Sequence, residues 1–186
     1  MEEKAVIVLA MHGAPPNDFP RHEMAELFGL HARLEHAAGP ERTALERRHA
    51  ELDAKVCAWP RTAQNDPYHA GSQDLAAHLS RATRHEVIVG FSEFCAPDLD
   101  EALDRAIAHG AKKVIVVTPM MTPGGEHSEV DIPAAIWRAQ ERHPTIDILY
   151  AWPFEASEVA QFLATQAARF AGGREHPHRP EAVAVA

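Results

Sequence analysis

The 186-residue chain has only two cysteines, Cys57 and Cys95, too few and too far apart for a zinc cluster or a disulfide scaffold. Both read as reduced thiols, Cys95 partly buried. No apolar run approaches the ~20 residues of a membrane span. The opening MEEKAVIVLAMHG has an apolar stretch of about signal-peptide length, but two acidic residues precede it and no small-residue cleavage site ends it. It reads as a first strand, which places the protein in the cytoplasm. A basic excess is missing too. The formal net charge of −9 argues against a nucleic-acid partner, which needs a cationic face. The pattern GxxxxGK[ST] is absent, and acidic residues crowd the helix start after Gly124-Gly125 where an anion would bind, so a phosphate loop is a poor reading.

What is present is ordinary in bulk: 46% hydrophobic and 24% charged residues, in a length that suits one domain with its own core. Short runs rich in Val and Ile at 5–10 (AVIVLA), 86–91 (EVIVGF) and 113–118 (KVIVVT) read as strands buried on both faces. A fourth strand is expected at 146–150. Helical spacing of apolar residues predicts helices at 21–37, 41–57, 71–83, 99–108, 127–142 and 156–171, with Asn17 or Asp18 suited to cap the first. Alternating β and α elements predict a four-stranded parallel sheet with helices on both faces and right-handed crossovers. Three helices lie between strands one and two where one would suffice. The first two read as an insertion, about 14–68, in a single domain spanning 1–171. The tail 172–186, with paired glycines, two prolines, His176 and His178, is expected to be disordered. Most other histidines, among them His31 and His49, read as solvated surface.

Three residues carry chemistry. His12, Glu93 and His127 each lie past the C-terminal end of a predicted strand, where open parallel sheets bind their ligands. Two imidazoles and a carboxylate there suit a transition-metal ion, or proton transfer around one. Gly13 permits a sharp turn and close approach of a ligand. Glu93 stands between Phe91 and Phe94, and partial desolvation would raise its pKa towards neutrality. Asp131 lies four residues after His127 on one helical face. It could orient that imidazole or serve only as a negative charge in the first helical turn.

Together, His12-Gly13 after an apolar strand, 91–93 before Ala96-Pro97, the helix LDEALDRAIA, GAKKVIVVTPMM and GGEHSEVDIP resemble the CbiX/SirB-type sirohydrochlorin chelatases, class II chelatases related to ferrochelatase. The resemblance covers the first strand and most of 90–170, and GG-x-H-x-x-x-D-I-P is its most specific part. It implies a chelatase-like, flavodoxin-like half that inserts Co²⁺, Fe²⁺ or Ni²⁺ into sirohydrochlorin or a related tetrapyrrole. The metal is then a substrate, with no organic cofactor. It implies His12 and His127 as the metal-binding and catalytic histidines and Glu93 as the loop carboxylate. Gly13, Phe94, Met120, Gly124 and Gly125 would border the ring, and Arg21, Arg61 and Lys112 are candidates for its carboxylates. It also implies a possible homodimer, since half-length members pair.

Two departures stand out. HGAPP replaces the family's HGS and charged residue, so Ala14 removes a hydroxyl. Residues 21–62 have no counterpart in short members and could form a lid, alter which ring fits, or replace a dimer contact. The competing readings are a metal or tetrapyrrole carrier without turnover, and a chelatase acting on a different porphyrin. A phosphohistidine phosphatase would want Arg before His12, where Met11 stands.

Overall fold

The computed structural model of the chain describes residues 4–34 and 36–171. Four strands, β1 (Ala5–Met11), β2 (Glu86–Phe91), β3 (Lys113–Val117) and β4 (Asp147–Tyr150), form one sheet in the order β2-β1-β3-β4. Every pairing is parallel, with Leu9 opposite both Val89 and Val117 and Met11 opposite Phe91. The chain leaves β1 for β2 on one side and returns to β3 on the other. The crevice where direction reverses therefore opens at the carboxyl ends of β1 and β3, the switch point where such sheets bind ligands.

Alternation along each strand supplies two cores. Val6, Val8 and Ala10 share one face with Val114 and Val116, covered by α4 (Leu99–Ala108) and α5 (Ile132–Arg142) through Leu99, Ala102, Leu103, Ile132 and Ala135. Leu9, Met11, Val89 and Phe91 face the other way, against Ala76 and Leu79 of α3 (Pro67–Thr83). Leu103 is fully buried in the first core, and truncating it to Ala would cost about 2–5 kcal/mol.

The insertion forms a core of its own. Helices α1 (Arg21–Leu34) and α2 (Gly39–Cys57) bury Leu27, Leu30, Leu45, Leu52 and Val56 around Phe19. Glu26–Arg48 and Glu23–Lys55 ion pairs bridge the two helices outside. Asp18 takes no part in starting α1: it accepts hydrogen bonds from Trp59 Nε1 and Asn65 Nδ2.

Boundaries differ from expectation in three informative places. α1 ends at Leu34 rather than 37. α3 begins at Pro67 rather than 71, because Asp66 caps it by accepting from the His69 N–H and Pro67 occupies the first helical turn. The predicted 127–142 helix is helical throughout, but it opens with a π-helical turn, His127–Asp131, before α5. Pro133 has no N–H to offer the preceding turn, and the Ile132 N–H donates five residues back to the His127 carbonyl.

The chain divides into two compact units, Met1–Trp152 and Pro153–Ala186. The described part of the second is chiefly α6 (Ala156–Ala171), which buries none of its residues and exposes Phe162, Leu163 and Phe170. The tail 172–186, with His176 and His178, lies outside the described residues. No helix among the described residues is long and apolar enough to cross a membrane.

Candidate metal centre

His12 is the first residue past β1. Its Nδ1 lies 2.8 Å from the Gly13 carbonyl and 3.2 Å from Glu93 Oε1. A carbonyl only accepts, so Nδ1 carries the proton and Nε2 keeps its lone pair for a metal. The His12 N–H donates to Tyr68 Oη at 3.3 Å, which ties the start of the loop to α3.

Glu93 reaches the same place from β2. The N–H groups of Ser92 and Glu93 donate to the His12 carbonyl at 3.1 and 3.0 Å, so the two loops leave the sheet side by side. Gly13 allows this approach. Its φ is +105°, and a Cβ there would lie 1.8 Å from the Glu93 carbonyl oxygen. Phe94 follows with φ +58°, an uncommon conformation for a residue with a side chain, and its ring turns towards the insertion core. Burial raises the Glu93 carboxyl above the ordinary carboxylate value, against the pull of His12 and His127 and with a push from Asp131. That is the direction expected from its position between two phenylalanines.

His127 arrives by a longer route, at the end of the loop 118–126 that follows β3. Its Nδ1 donates to Asp131 Oδ2 at 2.6 Å, so this ring too is held by one nitrogen and offers the other. Asp131 thus touches the imidazole directly as well as placing a negative charge in the first helical turn. Tyr150 of β4 donates to the Ser128 carbonyl at 2.8 Å and pins the turn from behind.

The three side chains meet. One ligand atom from each of His12, Glu93 and His127 lies within 4.8 Å of the others, the only such group of three or more among the described residues. The imidazole rings sit edge to face with centroids 4.4 Å apart. Three ligands on one side of a cleft can hold a divalent ion weakly and leave coordination positions open, whereas a closed four-ligand set would retain it. Beside His127 opens a cavity of 390 Å³ lined by Met120, Met121, Thr122, Gly125 and Ser128 among others. Gly124, with φ +90°, belongs to the same loop but does not line that cavity.

The basic residues expected around a ring are placed otherwise. Lys112 precedes β3, at the opposite end of the sheet from the triad. Arg21 is exposed at the first turn of α1. Arg61 is buried, with its side chain 9% exposed against Asp66 at 1%. All five of its N–H donors are used. Nε donates to the Trp59 carbonyl, Nη1 to the Ala14 carbonyl and Asp66 Oδ2, and Nη2 to the carbonyls of Val56 and Phe94. None remains for a substrate carboxylate. Arg61 instead clamps the end of α2 to both loops that carry His12 and Glu93. With Asp66 and Tyr68 it forms a supporting layer that sequence reasoning missed. The signal that could have found part of it is Asp66-Pro67, a capping residue followed by Pro at a helix start. The thiol of Cys95, which donates towards Asp66 Oδ2 at 3.6 Å, is pushed up by burial, and that of Cys57 to about 12 by the same cause.

The family model for CbiX matches residues 63–169, more than half of the chain. Glu93 and His127 fall inside the matched stretch; His12 and the helices α1 and α2 lie before it. A sirohydrochlorin cobaltochelatase of Priestia megaterium is 35% identical over 96 residues, covering 51% of this chain and 31% of that protein. A sirohydrochlorin ferrochelatase of the same organism is 31% identical over 92 residues, 47% of this chain and 34% of that one. This chain thus spans about a third of the length of either relative. Among solved structures, a putative cobalamin biosynthesis CbiX protein from Marinobacter aquaeolei has the same fold, with a TM-score of 0.53 at 16% identity over 92% of this chain and 99% of that one.

Proposed function

The chain belongs to the CbiX family, and from that membership we propose that it inserts a divalent metal ion, cobalt or iron before nickel, into sirohydrochlorin or a related tetrapyrrole. The observation that carries the reading is the convergence of His12, Glu93 and His127 at the sheet's switch point. The names of the Priestia megaterium relatives support cobalt and iron alike.

In this reading the ion is substrate. It exchanges water for the free nitrogens of His12 and His127 and a Glu93 oxygen, then passes to the ring as two pyrrole N–H protons leave. Each protein–metal bond that breaks frees a base at the site of proton release. Glu93 suits that task because its raised pKa lies closer to neutrality than an ordinary carboxylate's. The ring enters beside Met120 and the Gly124-Gly125 loop, with Gly13 and Phe94 on the opposite rim. One α/β domain spanning 1–171 is part of the same reading, since the family match runs from α3 into α6. Pairing of two copies, which the resemblance implies for half-length members, is as well.

The test is anaerobic incubation with sirohydrochlorin and Co²⁺, read by visible absorbance beside the His12→Ala, His127→Ala double variant. A spectral change faster than the spontaneous reaction, abolished in the variant, is expected. Ring binding without turnover for Co²⁺, Fe²⁺ or Ni²⁺ would replace the chelatase by a carrier.

A further inference from the structure

Helix α1 reaches Phe94, the residue that follows Glu93 of the metal triad. Leu27 and Leu30 turn α1's other face into the insertion core, which leaves Phe28 and His31, three residues apart, together on the side towards the site. The Phe28 ring stands edge to face with Phe94, the neighbour of Glu93, at 5.9 Å, yet Phe28 is 54% exposed. An isolated exposed Phe needs no explanation. This one continues an apolar surface from the residue beside the triad. His31 lies 5.9 Å, ring to ring, from His49 on α2. The hairpin is fixed there by Arg61, whose guanidinium joins the Val56 carbonyl at the end of α2 to the Phe94 and Ala14 carbonyls.

We propose that the α1–α2 hairpin is a second wall of the substrate cleft, with Phe28 packing on a flat macrocycle and His31 and His49 hydrogen-bonding anionic groups on its rim. The inference rests on the tetrapyrrole reading and goes beyond it. It assigns ring recognition to helices outside the family-matched residues and names the periphery they select. A ring whose nitrogens face the triad extends sideways past it. On one side it meets the Met120 cavity, and on the other the Phe28–His31 face. Imidazoles donate to carboxylates whether neutral or charged, and an aromatic edge or face suits a conjugated ring. The hairpin therefore favours tetrapyrroles fringed with carboxylates over those bearing few.

The test uses the full chain with two surface variants, Phe28→Ala and the His31→Ala, His49→Ala double. Ring affinity is read by titrating metal-free sirohydrochlorin, and in parallel a dicarboxylate porphyrin. Metal affinity is read separately by Co²⁺ absorbance without ring. Loss of the two imidazoles should weaken sirohydrochlorin binding about tenfold and leave the dicarboxylate ring nearly unchanged. Phe28→Ala should weaken both rings about three- to tenfold. Co²⁺ affinity should stay within about twofold in both variants, as neither removes a ligand. Wild-type turnover with ring affinities unchanged in both variants would overturn the wall and leave the chelatase. Wild-type ring binding without turnover, weakened in the variants as stated, would overturn the chelatase and leave the wall.

Discussion

The two sides of the metal centre are built by opposite means. On the β3–α5 side the contacts are mostly local, the hydroxyl of Tyr150 on the Ser128 carbonyl being the exception. His127 is held by Asp131 four residues on, Ser128 by the Gly125 carbonyl three residues back, and the Met120 N–H by Thr118 two residues back. On the β1–β2 side they are distant. Tyr68 receives from His12 across 56 residues, and Arg61 donates to Ala14 across 47 and to Phe94 across 33. A local turn can be damaged without unfolding the domain, and its damage stays near His127. A long-range hub is both part of the fold and part of the site, so stability and metal binding should fall together when it is lost.

Arg61→Met is the sharpest way to test that difference. Met matches the length of the side chain but leaves the buried Asp66 carboxylate without its cation and four carbonyls without donors. The expected cost is about 3–5 kcal/mol of unfolding free energy, by the rule for a buried pair with one partner removed. Co²⁺ affinity should collapse with it, because the Ala14 and Phe94 carbonyls lose their common anchor. A urea melt and a Co²⁺ titration check both, and a stable variant with normal metal binding would sink the hub. Gly13→Ala should come next. The added methyl would meet the Glu93 carbonyl oxygen in a backbone conformation that disfavours any side chain, at about 3 kcal/mol for strain and displacement together. The His12 and Glu93 loops would be driven apart. Its signature is weaker Co²⁺ binding even at temperatures where the variant stays folded.

The same contrast explains what could be read in advance. The α/β class, the parallel sheet and nearly every strand were legible because runs such as AVIVLA and KVIVV have no other good home than a doubly covered strand. His12, Glu93 and His127 were legible because strand ends are marked in sequence and switch points bind ligands. Asp131 was legible as a neighbour at helical spacing, but its role waited on the side-chain geometry. Arg61 was misread as a rim cation because nothing in WPRT tells whether a guanidinium meets water or five backbone and side-chain acceptors. Two of those acceptors, the carbonyls of Ala14 and Phe94, lie dozens of positions away. His31 and His49 read as surface, and His31 is exposed; where the hairpin that carries them docks could not be read from the sequence. The π-helical turn at His127–Asp131 hid behind a pattern that also fits an α-helix.

Asp131→Asn probes the local side and should behave unlike Arg61→Met. The amide keeps the size and an acceptor oxygen but loses the charge that holds the His127 ring. Co²⁺ affinity should drop about 10–100-fold, the usual loss when a partner of a metal-binding histidine is changed. Asp131 is partly exposed, so unfolding free energy should change by less than about 1 kcal/mol. Parallel calorimetry and denaturant melts separate the two quantities. Equal losses in both would mean that the two sides of the site do not differ in kind.

The smallest effect belongs to a region outside both walls, where α4 meets α5. Asp100 accepts from Arg138 and Arg142. Burial pushes its carboxyl up, but the two guanidinium hydrogen bonds outweigh that and hold it below its ordinary value of 3.8. A carboxyl with a depressed folded pKa stabilises the fold above its unfolded value, and the contribution fades as pH falls through the folded one. At 29% exposure solvent screens the pairs, so Asp100→Asn should cost only about 1 kcal/mol at pH 7. The gap from wild type should narrow only as pH falls below the ordinary 3.8, and close as it passes the lower pKa of the native carboxyl. Urea melts stepped from neutral pH down into acid follow the gap as it closes. A gap that persists in acid would trace to packing rather than charge. Unchanged Co²⁺ affinity at pH 7 would show that α5 can lose the Asp100 charge while the turn before it still presents His127.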